Sequence, residues 1–485
     1  MNRELRRVAL LVTAMFLALF TSTTVVQVVQ QDALRADDRN VRTLYESFSA
    51  ERGPILVDGE PIAESVPVDD VFKYQRVYAH PKLYSAVTGY FTLNQGNTGI
   101  EGALNDYLSG TSNRQFLDQL NALLTGQNPK GAAVEVTIDP VVQQAAWDAL
   151  ASYQGAVVAI EPKTGRILAM VSKPTFDPNE LAVHNTRQVI DTYEALLADP
   201  GDPLINRSIG GSLNPPGSTF KLVVASAALS SGQYTPESEF PNPPTLTLPE
   251  STHTITNAEG GSCGGGDTVS IATALQRSCN IPFAQLGAAL GYQTIADQAE
   301  RFGFGDAGQT IPMKVTPSVF PPVESEAQLM LQSFGQGNDR ATPMQMAMVS
   351  AAIGNGGQLY RPNLVESITA PDLSVLQAFE PSLYGSPISP DVAASMTQMM
   401  VASVANGAAS NARIAGVDVA GKTGTAENGE GEPYTLWFTG FAPANDPQVA
   451  VAVVVENGGG LGQSAFGNQI AAPIARQVIE AVLNR

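Results

Sequence analysis

Pro215-Pro216-Gly217-Ser218-Thr219-Phe220-Lys221 runs directly into Leu222-Val223-Val224-Ala225 and an apolar stretch that ends near Gly232. Pro and Gly immediately before such a stretch mark a helix start, and Gly232 marks its stop. The helix is apolar all round, so it belongs in a core. Ser218 then stands at its N-terminus, with Lys221 one turn further on and on the same face. A lysine carried into a core loses hydration, which lowers its pKa and makes it a candidate base. Serine, a poor nucleophile as the neutral hydroxyl, needs one. Backbone N–H groups at the helix start lie where an oxyanion would form. Taken alone, the same residues also describe a serine N-cap and a lysine that snorkels. Of the eight lysines in the chain, only Lys221 has a serine three residues before it.

Two further short motifs follow in order, Ser278-Cys279-Asn280 and Lys422-Thr423-Gly424. A serine–lysine acyl-transferase needs a second hydroxyl to relay a proton, an amide to hold substrate and a cationic strand for its carboxylate. Each motif is weak by itself; the ordered set is strong. Other matches fail on position. Lys163-Thr164-Gly165 precedes the nucleophile and occupies a hairpin turn. Ser212-Leu213-Asn214 is too near Ser218 to form a separate wall. Gly260-Gly261-Ser262-Cys263-Gly264 fits the nucleophile elbow of α/β-hydrolases, but that fold orders its triad Ser, Asp, His. The three histidines, His80, His184 and His253, all lie upstream of Ser262. Three scattered histidines and two cysteines make no recognised zinc spacing either, so no metal or other cofactor is expected.

Outward from these motifs, Ala132 to Ile138 is strand-like, and Asp139-Pro140 caps a helix carrying Val142, Ala145, Ala146, Ala149 and Leu150 at helical spacing. Ala156–Ile160 and Ile167–Val171 form a hairpin through Pro162-Lys163-Thr164-Gly165. Tyr434–Phe441 and Val449–Val455 form another. Val269–Gln276 reads as helix, and the chain finishes with an amphipathic helix from about Ile470 to Leu483. The order indicates a mixed α/β domain with an antiparallel sheet. Before it, a turn-rich region from the stalk-like Gln30–Ser49 to a linker at Asn128-Pro129-Lys130-Gly131 is hard to read alone. The divisions are 1–30, 31–130 and 131–485.

The chain has 485 residues and a net charge of −19 at pH 7, which argues against nucleic acid as a partner. Arg3, Arg6 and Arg7 precede an apolar stretch from Val8 to about Val29. That pattern predicts a single-pass anchor in the cytoplasmic membrane with the remainder outside. A cleaved signal peptide is the alternative, although no clear small-x-small site follows. On the exported side, Cys263 and Cys279 are expected to form a disulfide, with two reduced buried thiols as the other reading.

Ser-x-x-Lys, Ser-x-Asn and Lys-Thr-Gly in this order are the signature of penicillin-recognising enzymes. The chain resembles the class B high-molecular-weight penicillin-binding proteins, most of all their actinobacterial division-associated branch. The likeness extends to Arg52-Gly53-Pro54-Ile55, Gly99-Ile100-Glu101, Thr137-Ile138-Asp139, Phe334-Gly335-Gln336-Gly337 and Trp437-Phe438-Thr439-Gly440-Phe441. The resemblance implies a transpeptidase fold with a five-stranded antiparallel sheet flanked by helices, a smaller N-terminal domain and one anchor helix. It implies a D,D-transpeptidase that cross-links peptidoglycan stem peptides and is acylated by β-lactam antibiotics. Ser218 would be the nucleophile, Lys221 the base and Ser278 the proton relay. Asn280 would bind the substrate backbone, and Lys422, Thr423, Gly424 and Thr425 would line the carboxylate site. The N–H groups of Ser218 and Thr425 would form the oxyanion hole. Expected partners are division or elongation membrane proteins, including a glycosyltransferase. Asn214 departs from the family, which usually has a tyrosine four residues before the nucleophile. A β-lactam sensor, a non-catalytic division scaffold and a D,D-carboxypeptidase stay open as alternatives.

Overall fold

The structure, a computed structural model, describes residues 2–26, 50–112, 115, 130–211, 213–258 and 260–485. The stalk at Gln30–Ser49, the first half of the linker, Ser212 and the end of the apolar N-terminal stretch lie outside the described residues. Helix α1 (Asn2–Thr24) takes in the three arginines as well as the apolar stretch. Its 23 residues span about 34 Å at 1.5 Å per residue, enough to cross the roughly 30 Å hydrocarbon layer of a bilayer. Its large apolar side chains are exposed, and it is a candidate membrane span by length and composition.

The turn-rich first region contains three strands that its sequence did not announce: β1 (Ile55–Val57), β2 (Glu60–Pro67) and β3 (Tyr74–Tyr78). They join β4 (Ala133–Val136) and a distant hairpin, β7 (Val365–Thr369) with β8 (Val375–Ala378), in one six-stranded sheet. Its order is β8-β7-β4-β1-β2-β3. Only β1 and β4 pair in parallel, Ile55 opposite Val134 and Val57 opposite Val136. Beneath this sheet Glu101 is fully buried between Arg76, 2.6 Å away, and Arg52.

The catalytic sheet has five strands, all antiparallel, in the order β9-β10-β11-β5-β6. These are β5 (Gly155–Ile160), β6 (Ile167–Lys173), β9 (Ala420–Ala426), β10 (Thr435–Ala442) and β11 (Val449–Val455). Gly155-Ala156-Val157-Val158-Ala159-Ile160 and Val449-Ala450-Val451-Ala452-Val453-Val454-Val455 are continuous apolar runs, and every residue in both is buried. A run without alternation belongs to a strand covered on both faces. One face packs on α2 (Pro140–Ala149) and the C-terminal α7 (Ala471–Leu483). The other packs on α6 (Pro343–Gly354), an all-round apolar helix. Asp139 caps α2 by accepting from the N–H groups of Val141 and Val142.

The nucleophile segment enters helix α3 (Lys221–Ser230) through a single 3₁₀ turn, Gly217–Phe220. Residues Lys221 to Leu229 are all buried. One boundary differs from the sequence reading. Helix α4 begins at Ile271 and ends at Arg277, because Ser270 caps it by accepting from Thr273 N–H. Val269 falls instead in the short strand Thr268–Ser270, paired with Glu239–Pro241.

Candidate active site

Lys221 is fully buried, and its Nζ stands 2.9 Å from Ser218 Oγ. It also lies 2.8 Å from the Ser278 carbonyl oxygen and 2.8 Å from Asn280 Oδ1. A neutral amine has two N–H donors and one lone pair. In that form Lys221 gives its two N–H groups to Ser278 O and Asn280 Oδ1 and keeps its lone pair for the Ser218 hydroxyl; as an ammonium it donates to all three oxygens. Burial, and then the charge of nearby Lys422, hold the Lys221 pKa well below the usual lysine range. The geometry and the electrostatics agree on an amine able to take a proton from Ser218.

Lys422 projects from β9 and is also fully buried. Its Nζ lies 2.6 Å from Ser278 Oγ and donates to the Thr423 carbonyl at 2.9 Å. Burial lowers its pKa to about 7. Ser278 therefore sits between two lysines, its carbonyl against one and its hydroxyl against the other. That serine ends α4 in a left-handed conformation (φ 62°), a strained state for a residue with a Cβ. Two residues on, Asn280 opens helix α5 (Ile281–Leu290) and turns its amide into the cleft, with Nδ2 donating to Thr256 O at 3.0 Å. Between them Cys279 is joined by a disulfide to Cys263, Cα to Cα 5.9 Å.

The opposite wall is β9. Thr423 Oγ1 donates to Ala408 O at 3.1 Å, and Thr425 Oγ1 accepts from Gly467 N–H at 3.1 Å. Gly217 (φ +53°) holds a left-handed backbone that other residues rarely adopt, and a Cβ there would press on the Thr425 carbonyl at 3.1 Å. The turn carrying Ser218 is thereby set against the backbone of Thr425. Gly217 N–H donates to Gly335 O at 3.1 Å, and Gln336 Nε2 donates to Thr425 O at 3.3 Å. A cleft of about 1350 Å³ opens over these groups, lined by Ser218, Ser278, Asn280, Thr423 and Thr425 among others.

All three motifs thus meet at one place: Lys221 and Lys422 are fully buried and reach Ser218 and Ser278, which line the cleft, while Gly424 is buried in β9. The sequence reading assigned no role to Gln336 or Asn257, both of which contact the motifs; an Asn just before a glycine-rich loop carries no specific signal. Asn214, at the departure from the family pattern, donates to Glu456 Oε1 at 3.0 Å. The helix entrance is fixed next to it by Trp437 Nε1, which donates to Pro215 O at 2.8 Å. Lys163 pairs with Asp446 in a neighbouring turn, and Ser262 is exposed on the disulfide loop.

Known proteins resemble this chain in sequence and fold. Residues 155–480 match the family model of the penicillin-binding protein transpeptidase domain. Residues 52–134 match that of the penicillin-binding protein A dimerisation domain. Peptidoglycan D,D-transpeptidase PbpA of Mycolicibacterium smegmatis is 43% identical over 491 aligned positions, covering 100% of this chain and 99% of that protein. The ceftriaxone acyl-enzyme complex of penicillin-binding protein A from Mycobacterium tuberculosis superposes with a TM-score of 0.87 at 40% identity. That match covers 90% of this chain and 100% of the other. The imipenem acyl-enzyme complex of the same protein gives 0.85 at 41% identity over 90% of this chain and 100% of that one. Ser218 against a buried lysine, Ser278 between two lysines and similarity along the whole chain lead to one assignment: this chain belongs to the class B penicillin-binding proteins, within the penicillin-binding protein transpeptidase family.

Proposed function

We propose that this chain is a peptidoglycan D,D-transpeptidase that works through an acyl-enzyme on Ser218. The observation that carries the reading is the position of Lys221 Nζ, 2.9 Å from Ser218 Oγ and 2.8 Å from both Ser278 O and Asn280 Oδ1. Ser218 Oγ attacks the carbonyl of the penultimate D-Ala of a donor stem peptide and passes its proton to Lys221. The tetrahedral oxyanion is held by the backbone N–H groups of Ser218 and Thr425. The C–N bond to the terminal D-Ala breaks, and its nitrogen takes a proton relayed through Ser278 Oγ. An amine of a neighbouring stem peptide then attacks the ester, gives up a proton by the reverse route and frees Ser218. Asn280 holds the substrate backbone. Lys422, as the cation, and Thr423 with Gly424 and Thr425 hold the terminal carboxylate. A β-lactam enters the same path but stops at the ester.

Helix α1 is read as the anchor, with residues 31–130 as a stalk and interaction domain and 131–485 as the catalytic domain on the outer side of the cytoplasmic membrane. Division or elongation proteins, a glycosyltransferase among them, are the partners that such an arrangement serves.

A fluorescent penicillin is expected to label the protein, and Ser218→Ala is expected to abolish labelling. Label retained by that variant, or mapped to Ser262, would overturn the assignment. A stem-peptide donor offered with a D-amino acid should give exchange in excess of hydrolysis; hydrolysis alone would make the enzyme a carboxypeptidase.

A further inference from the structure

Asn280 occupies the position just before helix α5, where an Asn side chain ordinarily folds back to cap the first free N–H groups. Here it makes no such bond. Its Oδ1 is committed to Lys221 and its Nδ2 to Thr256 O. The second helical residue is Pro282, which has no N–H to cap, and the two free amides that precede it are satisfied from across the chain. Asn257 Oδ1 accepts from Asn280 N–H at 3.0 Å and from Ile281 N–H at 3.1 Å. Asn257 is itself buried, and its Nδ2 donates to Gly261 O at 3.0 Å, in the glycine-rich loop that carries Cys263.

We propose that Asn257 is a positioning residue for acyl transfer: by accepting from the N–H groups of Asn280 and Ile281, it fixes the backbone from which the Asn280 side chain reaches Lys221. The inference rests on the serine–lysine reading given above. Without these two bonds the backbone of Asn280 at the start of α5 loses its tether, and its Oδ1 shifts with it. That shift would withdraw one of the two acceptors that fix the Lys221 amine. The lone pair of Lys221 would then no longer be aimed at Ser218 Oγ. This cap from Asn257 also explains why the glycine-rich loop lies where it does. The disulfide ties that loop to Cys279, and Asn257 ties it to Asn280, so the two attachments bracket the motif.

The test is the acylation rate of the full-length protein with a fluorescent penicillin, alongside its melting temperature, for Asn257→Ala and Asn257→Asp. Asp keeps the acceptor oxygens, is as good a helix cap as Asn, and loses the N–H to Gly261. Asn257→Ala should acylate about 10²-fold more slowly, the scale of effect expected when a reacting group is displaced by about an ångström. Asn257→Asp should recover acylation to within about three-fold of wild type, as the equivalence of the two caps requires. An Asp variant that folds like wild type yet acylates as slowly as Ala would overturn the proposal, because the loop tether and not the cap would then matter. The Asp result decides the matter even if the Ala variant does not fold. Failure of the serine–lysine reading shows separately, as wild-type protein that takes no label or as label that survives Ser218→Ala.

Discussion

Lys221 Nζ has three oxygen neighbours at 2.8–2.9 Å and no carboxylate among them. An ammonium in that setting would be buried without a counter-ion, and burial holds the Lys221 pKa well below the usual lysine range. Lys221→Arg puts a permanent charge in the same place, because a guanidinium does not deprotonate in proteins and has no lone pair to offer. Acylation by penicillin is expected to fall by about 10²–10⁴-fold, the usual cost of losing a general base. A stopped-flow acylation rate within a few-fold of wild type would show that Lys221 acts only as a charge. Ser218 and Lys221 were readable in the sequence because their contact is local, one turn of one helix. The contact of Lys422 with Ser278 spans 144 residues, and only the ordered motifs hinted at it. Asn257 was not readable, since its role depends on two backbone amides that tertiary packing brings to it.

Among the elements, the loop from Gly335 to Arg340 has the least comfortable chemistry. It braces the active site through Gly335 O and Gln336, yet it carries Asp339, fully buried with no hydrogen-bond partner for either side-chain oxygen. The adjacent Arg340 turns its guanidinium to the carbonyls of Gly337 and Asp339, both at 2.8 Å. Burial raises the Asp339 carboxyl from 3.8 to about 7. Between those values the folded state keeps a proton that the unfolded chain has lost. Stability therefore falls as pH rises through that window, and the penalty is complete above about pH 7. Asn at this position cannot ionise. Asp339→Asn is expected to raise the melting temperature, by more at pH 8 than at pH 5. Equal shifts at the two pH values would mean that the carboxyl is already satisfied. Strands β5 and β11 were legible as elements because continuous valine-rich runs leave few alternatives, whereas β9, with the sequence Ala-Gly-Lys-Thr-Gly-Thr-Ala, was marked only by its Lys-Thr-Gly motif. Val269 was misassigned because periodicity carries across a cap, and only Ser270 marks where the helix starts.

At the scale of the whole molecule, the two regions read from the sequence are not separate beads. Strand β4 precedes the catalytic sheet, and β7 and β8 come from deep within the matched transpeptidase region, yet all three complete the N-terminal sheet. The sequence could not show this, because pairing between β4 and β7 joins residues more than two hundred positions apart and neither strand is long. Glu101 is the electrostatic centre of that sheet's underside, with the buried guanidinium groups of Arg52 and Arg76 both directed at it. Glu101→Gln leaves two buried cations without their counter-charge, and breaking a buried pair in this way costs about 3–5 kcal/mol. Denaturant unfolding should register that loss, while the acylation rate of the folded fraction should stay unchanged. A loss below about 1 kcal/mol, the range of exposed pairs, would show that water reaches the cluster.

The parallel pairing of β1 with β4 has a mechanical consequence. The chain enters β1 from its N-terminal side and leaves β4 toward the catalytic sheet, so a pull between those two directions acts on opposite ends of a parallel pair. Such a load is carried in shear. The ladder bonds from Ile55 to Val57 bear it together and must give way together, where a hairpin pulled from one end would unzip bond by bond. Tension between the N-terminal helix and the catalytic domain meets a clasp, and the domain holds its bearing under strain.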